Sequence, residues 1–276
     1  MKSRIVYFFS LFFLVHSGIQ AAKVDTVVTH SQKMQKDIKA VVITPNSYHR
    51  QAQFPVLYLL HGYSDRYDGW LTKVPPIKDL ADLYGMIIVC PDGAYGSWYL
   101  DSPIDPEFQY ETYIATELVN WIDQNYRTIP SRTGRAITGL SMGGHGALYL
   151  AFRHQDIFGA AGSMSGGVDI RPFPNNWDLT KRLGKQSEYP ERWEKNSVIG
   201  LLHLLTPNSL KIIIDCGTED FFYEVNKELH EALLYRNIPH DFIARPGVHN
   251  WDYWENAIKY QALFFNLYFE TNKTKK

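Results

Sequence analysis

Hydrophobic residues along the chain form short continuous runs that alternate with segments of helical periodicity. Eight of the runs are strand-like, at residues 24–29, 38–44, 56–61, 86–90, 135–139, 158–164, 210–216 and 241–245. Most are apolar throughout, which is typical of parallel strands covered on both faces. Between them, apolar side chains recur at the spacing of a helix face, as in Ile114, Leu118, Trp121 and Ile122, and in Val225, Leu229, Ala232 and Leu233. This alternation predicts an α/β protein with a mostly parallel sheet of about eight strands and helices on both faces.

One long stretch, residues 167–208, interrupts the alternation. It has no clear strand–helix pattern and carries four large aromatic residues, Phe173, Trp177, Tyr189 and Trp193. No internal repeat or low-complexity block divides the rest of the chain. We therefore expect a single domain over residues 23–276, with an insertion at about residues 167–208 that lies over one end of the sheet.

The first 22 residues have a different pattern. Lys2 and Arg4 precede an apolar stretch at residues 5–15, and the small residues Ala21 and Ala22 follow it. A charged start, a short apolar centre and small residues at the end are typical of a signal peptide. The apolar stretch is shorter than the roughly 20 residues that a membrane-spanning helix needs. We expect residues 1–22 to be removed on export, which leaves a secreted or periplasmic protein without a membrane span.

Composition and charge exclude several classes of protein. Hydrophobic residues make up 45% and charged residues 21% of the chain, and its net charge is −1, which is ordinary for a globular protein. No run of basic residues occurs before the short lysine-rich tail, so nucleic acid is not an expected partner. The sequence also lacks H-E-x-x-H, a paired cysteine motif, an acidic calcium loop and a P-loop lysine. Because these are common signatures of metal and phosphate sites, we expect no metal and no cofactor.

The segment Gly-Leu-Ser-Met-Gly at residues 139–143 carries the strongest chemical signal. It is a G-x-S-x-G motif that follows a predicted strand and precedes a predicted helix. In that context the motif presents its serine as a nucleophile on a tight, strained turn, and glycines beside the serine avoid steric collisions. The amides at the start of the helix then point toward the serine oxygen. The sequence therefore predicts Ser141 as the nucleophile.

A serine nucleophile needs a base, and the base needs a carboxylate that orients it. In α/β-hydrolases the acid and then the histidine follow the serine along the chain. His249 lies in the loop after the last predicted strand, at the edge where catalytic groups of open α/β sheets collect, and we expect it to be the base. Glu219 and Asp220 both lie in the loop after the seventh strand. We favour Asp220 because aspartate is the commoner orienting group, whereas Asp215, within the strand, is expected to point into the packing.

The oxyanion of an ester reaction needs two main-chain N–H donors. Met142, directly after the nucleophile, is expected to supply one of them. The second is expected from Tyr63, in the loop after the third strand, where Gly62 permits an unusual turn. His61 is expected to shape this loop and not to take part in the chemistry.

Four segments, at residues 59–62, 139–144, 216–220 and 246–251, together resemble the esterase-D-type "putative esterase" family of α/β-hydrolases. That family includes S-formylglutathione hydrolases, feruloyl and acetyl-xylan esterases, tributyrin-type esterases and mycolyltransferases. The resemblance extends over about residues 36–265. It implies an α/β-hydrolase fold, a triad of Ser141, Asp220 and His249, and oxyanion donors at Tyr63 and Met142.

Within this family, export and aromatic content favour one group of substrates. Export disfavours glutathione esters, because glutathione is cytosolic. Aromatic residues make up 14% of the chain, and flat rings suit aryl esters and sugar faces. Trp98, in the loop at residues 97–102, is therefore expected to contact substrate. We expect feruloyl or acetyl esters of plant polysaccharide as substrates; an acyltransferase with the same triad and a non-catalytic carbohydrate-binding protein on the same fold remain as alternatives.

The two cysteines, Cys90 and Cys216, lie in strand-like runs and are expected to be free, buried thiols. If the strands adopt the hydrolase order 1-2-4-3-5-6-7-8, Cys90 belongs to strand four and Cys216 to strand seven. Four inter-strand steps of about 4.8 Å then separate the cysteines by about 19 Å. A disulfide needs Cα atoms within about 7 Å, so this topology excludes a bond between them.

Overall fold

A computed structural model describes residues 21–49 and 52–273, so most of the predicted signal peptide, residues 1–22, lies outside the described residues. The described chain forms one sheet of eight strands in the order β1-β2-β4-β3-β5-β6-β7-β8. The strands are β1 (Lys23–Ser31), β2 (Lys36–Thr44), β3 (Val56–Leu60), β4 (Ile87–Pro91), β5 (Arg135–Gly139), β6 (Ala160–Met164), β7 (Lys211–Gly217) and β8 (Asp241–Arg245). β2 runs antiparallel to both β1 and β4, and β3 to β8 are parallel. The predicted fold class and strand order are confirmed.

Helices cover both faces of the sheet. They are α1 (Gly69–Lys73), α2 (Ile77–Tyr84), α3 (Tyr110–Thr112), α4 (Val119–Asn125), α5 (Met142–Arg153), α6 (Leu179–Leu183), α7 (Pro190–Asn196), α8 (Tyr223–Tyr235) and α9 (Trp251–Lys273), and a π-helical turn, Tyr113–Leu118, joins α3 to α4. Short 3-10 turns lie at Asn46–His49, Arg132–Gly134 and Val198–Leu204. None of the helices in the described ranges combines the length and the apolarity needed to cross a bilayer.

Alternate side chains of the central strands pack into two separate hydrophobic cores, one on each face of the sheet. In β3, Val56, Tyr58 and Leu60 point into the core that contains α4, α5 and α8. Leu57 and Leu59 point into the opposite core, which contains α1, α2 and α9. Because side chains of a strand alternate between the faces of a sheet, an apolar run such as Val56–Leu60 is needed where both faces are covered. This explains why the central strands are continuous in hydrophobicity.

The segment at residues 167–208 connects β6 to β7 and contains α6, α7 and a 3-10 turn, with no strand. Its apolar side chains pack into the core on the α5 face, with Leu179, Leu183 and Trp193 fully buried. One turn of this segment, at Trp177 and Asp178, reaches the carboxyl edge of the sheet, where Trp177 lies near Ser141 and His249.

Both cysteines are free and buried, as the sequence predicts. Cys90 lies in β4 and Cys216 in β7, and three strands stand between them in the sheet. The topology therefore keeps the two thiols apart.

Candidate active site

Ser141 occupies a sharp turn between β5 and α5. Its backbone has φ 55° and ψ −117°, a conformation that is strained for a residue with a side chain. The Ser141 N–H donates to the Met164 oxygen at 2.9 Å, which anchors the turn to the end of β6. A Cβ atom at Gly143 would lie 2.5 Å from the His61 oxygen, and one at Gly139 would lie 2.6 Å from the main chain of Gly143. The two glycines of the motif are therefore required by close backbone contacts.

The structure brings Ser141, His249 and Asp220 together. His249 Nε2 lies 2.9 Å from Ser141 Oγ, and His249 Nδ1 lies 2.8 Å from Asp220 Oδ2. The Asp220 side chain is fully buried, and that of His249 is 15% exposed. Because an ionised carboxylate only accepts hydrogen bonds, Nδ1 carries the proton and the lone pair of Nε2 faces the serine hydroxyl. This is the geometry of a serine activated by an oriented base.

Asp220, and not its neighbour Glu219, faces the histidine. The second oxygen of Asp220 accepts a hydrogen bond from the Phe222 N–H at 2.8 Å, which fixes the carboxylate. Glu219 is exposed, and its main-chain N–H donates to the Gly247 oxygen at 3.0 Å. This bond ties the loop that carries Asp220 to the loop that carries His249. The preference for Asp220 at the sequence level therefore agrees with the placement of both residues.

Asp215, two strand positions from the end of β7, belongs to the supporting structure. Its buried carboxylate accepts from the Tyr253 hydroxyl at 2.5 Å and from Arg245 Nη2 at 2.8 Å. Burial raises the pKa of Asp215, and the two donors oppose that shift. Tyr253 lies in the first turn of α9, directly after the His249 loop, so this network holds the start of α9 against β7 and β8. As expected from its strand position, Asp215 points into the packing.

The loop of Tyr63 lies beside the serine. In the described part of the chain, the amides of Tyr63 and Met142 have no hydrogen-bond acceptor. His61 shapes this loop: its Nδ1–H donates to the Gly62 oxygen at 2.8 Å, and its Nε2 accepts from the Gly93 N–H at 2.7 Å. Burial lowers the pKa of His61, which favours the neutral ring that these two bonds require. Two free amides next to Ser141 are available for a developing oxyanion.

A cavity of about 420 Å³ opens over Ser141 and His249. Two aromatic pairs line it, Trp177 with Phe221 and Trp251 with Trp254, and one ring of each pair contacts the imidazole. Phe221 lies 4.2 Å and Trp254 4.8 Å from His249 between ring centroids. Besides Ser141, His249 and Tyr63, the lining residues with polar side chains are Ser64, Asp65, Lys73 and Asn250.

The structure does not bring Trp98 to this cavity. Trp98 is 1% exposed, and its ring packs edge-on against His145 with centroids 5.3 Å apart. Its indole N–H is bonded to the main-chain oxygen of Trp177, so it supports the cavity wall from below. Trp177, and not Trp98, lines the cavity. The neighbouring wall residue, Phe221, was missed in the sequence although it directly follows Asp220.

The described ranges contain no group of three or more histidine, cysteine, aspartate or glutamate side chains that could hold a metal ion. The chemistry that the site offers is that of a serine, an imidazole, a carboxylate and two main-chain amides.

Comparison with known proteins decides the family. The family model described as "Putative esterase" matches residues 31–265. The chain belongs to this esterase family. Esterase Rv1288 of Mycobacterium tuberculosis is 37% identical over 235 residues, which is 75% of this chain and 51% of that protein, so the chain spans about half the length of this relative.

Two further similarities concern activity within the family. A solved ferulic acid esterase superimposes with a TM-score of 0.79 at 30% identity, over 90% of this chain and 99% of that one. The diacylglycerol acyltransferase/mycolyltransferase Ag85A of Mycobacterium tuberculosis is 28% identical over 249 residues, 75% of this chain and 72% of that protein. These similarities place the chain in the esterase family, with a fold shared by solved serine hydrolases.

Proposed function

We propose that the chain is an exported, single-domain serine carboxylesterase that uses Ser141, His249 and Asp220 as its catalytic triad. The observation that carries this proposal is the continuous hydrogen-bonded series from Asp220 through His249 to Ser141 at the floor of an aromatic cavity. The domain covers residues 23–276 and includes the insertion at about residues 167–208. Residues 1–22 direct export to the periplasm or beyond the cell.

Ser141 Oγ bonds to the ester carbonyl carbon while its proton passes to His249 Nε2. The carbonyl oxygen becomes an oxyanion that accepts from the amides of Tyr63 and Met142. The carbon–oxygen bond to the alcohol then breaks, and the leaving alcohol takes the proton from Nε2. Water adds to the acyl-enzyme and gives a proton to Nε2, and the proton returns to Ser141 as the acid departs. Loss of one oxyanion donor typically costs about 10²–10³ in kcat.

The substrates that fit this proposal are feruloyl or acetyl esters of plant polysaccharide. The aromatic pairs that line the cavity suit a planar aryl acyl group or a sugar face, and the ferulic acid esterase that superimposes on the chain supports the aryl assignment. Hydrolysis rates on methyl ferulate, acetylated xylan and a short triglyceride, measured side by side, test it. Activity confined to the triglyceride would contradict the polysaccharide-ester assignment.

The triad is tested by Ser141→Ala, which keeps the turn and removes only the hydroxyl. We expect the variant to fold, to lose turnover of p-nitrophenyl acetate and to resist covalent labelling by a fluorophosphonate that labels the wild-type chain. Turnover that survives the substitution would contradict the assignment. A wild-type chain that is folded but neither turns over nor labels would instead support a non-catalytic carbohydrate-binding protein.

A second candidate is acyl transfer, which the similarity to Ag85A favours. An acceptor alcohol would replace water at the second step, and the same residues would act. Product analysis with and without an added sugar acceptor separates the two reactions. Formation of the acylated sugar in preference to free acid would identify a transferase.

A further inference from the structure

The main-chain amide of Tyr63 does not hold this residue in place. If the Tyr63 N–H serves the oxyanion, it makes no bond to the protein, and the residue lies in a loop between β3 and α1 that no sheet or helix ladder fixes. Its next neighbour, Ser64, is tied through its N–H to the Tyr95 oxygen at 2.8 Å. The Tyr63 ring rests edge-on against the Tyr95 ring, with centroids 4.8 Å apart. Neither contact fixes the far end of the Tyr63 side chain.

That far end is bonded to the insertion. The Tyr63 hydroxyl donates to Asp178 Oδ2 at 3.2 Å, across 115 positions of sequence. Burial and the adjacent Asp178 raise the pKa of Tyr63 to about 12, so the hydroxyl stays protonated and acts as the donor. Asp178 Oδ1 pairs separately with Lys181 Nζ at 2.9 Å. Each carboxylate oxygen therefore has its own partner.

The backbone at Asp178 indicates that this contact is not incidental. Asp178 precedes α6 at its N-cap, where an aspartate usually bonds the free amides of the first helical turn. Here the side chain makes no capping bond to α6. Trp177 and Asp178 both adopt positive φ, 49° and 57°, which costs roughly 1 kcal/mol or more for each non-glycine residue. The turn thus places Trp177 in the cavity wall and turns the Asp178 carboxylate toward Tyr63.

From these contacts we infer that Asp178 is a positioning residue for ester hydrolysis: through the Tyr63 hydroxyl it sets the direction of the Tyr63 amide toward the oxyanion. Asp178 is not part of the cavity lining, so it acts through Tyr63 and not on the substrate. The inference rests on the proposed function, because it requires the Tyr63 amide to be an oxyanion donor. It also gives the turn at Trp177 and Asp178 a positioning role in addition to its place in the cavity wall.

The role predicts a specific kinetic signature. An oxyanion forms in the transition state and not in bound substrate, so a misdirected donor lowers kcat and leaves KM unchanged. Tyr63→Phe and Asp178→Ala should each lower kcat for p-nitrophenyl acetate about tenfold, a fraction of the effect of losing a donor outright. The Ki of a trifluoromethyl ketone, whose adduct with Ser141 places an oxyanion in the same site, should rise by the same factor. The double variant should have the same kcat and Ki as either single variant, because each substitution already removes the same hydrogen bond.

Two matched variants separate positioning from simple disruption. Lys181→Ala removes the other partner of Asp178 and should keep the wild-type kcat and Ki. Asp178→Asn retains an oxygen that accepts from the Tyr63 hydroxyl and should recover most of the activity. Thermal melting verifies that each variant is folded.

The inference is overturned if folded Asp178→Ala and Tyr63→Phe keep wild-type kcat and Ki, if their loss lies in KM, or if Lys181→Ala loses as much as Asp178→Ala. Fluorophosphonate labelling is run on every chain to separate this result from the proposed function. If Asp178→Ala and wild type label equally and have equal kcat, only the role of Asp178 is contradicted, and the esterase mechanism stands. Failure of the wild-type chain to label contradicts the esterase mechanism itself.

Discussion

The indole N–H of Trp98 donates a hydrogen bond to the main-chain oxygen of Trp177, 3.0 Å away. The ring centroids of the two tryptophans are 6.1 Å apart. Trp177 lines the cavity, whereas Trp98 is buried beneath it. The turn that carries Trp177 is therefore fixed from below by Trp98 and from the side by the bond between Asp178 and Tyr63.

Removal of the Trp177 ring should change substrate preference. An aromatic contact contributes about 0.5–1.5 kcal/mol beyond the burial of its area, so Trp177→Ala should lower the ratio of kcat/KM for methyl ferulate to that for p-nitrophenyl acetate by about two- to twelvefold. Trp98→Phe, which keeps a buried ring and removes only the N–H, is the matched variant and should change this ratio less. Equal losses on the two esters in Trp177→Ala would contradict a role in binding the aryl group.

Substitution of Asp220 should act mainly on kcat. Asp220→Asn removes the charge that stabilises the imidazolium and permits the wrong tautomer of His249, so we expect kcat to fall about 10³–10⁴-fold with little change in KM. Glu219→Gln, at the exposed neighbouring position, is the matched control and should retain wild-type kinetics. The assignment is contradicted if Glu219→Gln is the more damaging change.

His145 should make the stability depend on pH. Its ring nitrogens lie 3.2 and 2.7 Å from the main-chain oxygens of Trp98 and Asn196, and burial lowers the pKa of His145 to about 4. Below about pH 6.5 the unfolded chain binds a proton at this residue, and the folded chain does so only near pH 4. The free energy of unfolding should therefore fall as the pH falls through this window, by up to about 3 kcal/mol from His145.

Urea unfolding near pH 7 and near pH 4.5 measures this contribution. Between the two conditions, the free energy of unfolding should fall by about 2 kcal/mol more in wild type than in His145→Gln. His61, also buried with a lowered pKa, contributes to the remaining slope in both proteins. His203→Gln, on an exposed turn, is the control for the loss of a histidine. Identical pH dependence in wild type and His145→Gln would contradict the prediction.

The two cysteines should remain reduced. Burial raises the pKa of both thiols, that of Cys90 to about 12, and three strands separate them. Ellman's reagent should find no reactive thiol in the native protein and two in denaturant without reductant. A smaller number in denaturant would mean that the cysteines are oxidised, which the strand order does not allow within one folded chain.

Local patterns carried most of the sequence-level prediction. Apolar runs define the strands because both faces of the sheet are covered. The G-x-S-x-G motif is recognisable from consecutive residues, although the contacts that require its glycines include the main chain of the distant residue His61. The strand order followed from the resemblance to a known family. Asp220 was favoured over Glu219 because aspartate is the commoner orienting group, and the structure places its carboxylate at the imidazole.

Reasoning from local sequence patterns could not predict the long-range contacts. Trp98 and Trp177 are both tryptophans in aperiodic loops, and their sequence context does not reveal which ring faces the cavity. Trp177 and Asp178 both have positive φ, but tryptophan rarely adopts it and neither position holds a glycine or asparagine, so the sequence gives no clear turn signal at these two positions. The bond between Tyr63 and Asp178 joins two loops that meet only after the sheet has formed.

The positions of the positive-φ residues have a consequence for protein engineering. Ser64, Ser141 and Trp177 line the cavity, and Asp178 contacts its loop, so substitutions that relax these turns would raise the melting temperature and lower turnover together. Gln35, with φ 51°, lies in the hairpin turn between β1 and β2, at the edge of the sheet far from the cavity. Thermostable variants are therefore best sought by introducing glycine or asparagine at Gln35, where relief of backbone strain leaves the active-site turns intact.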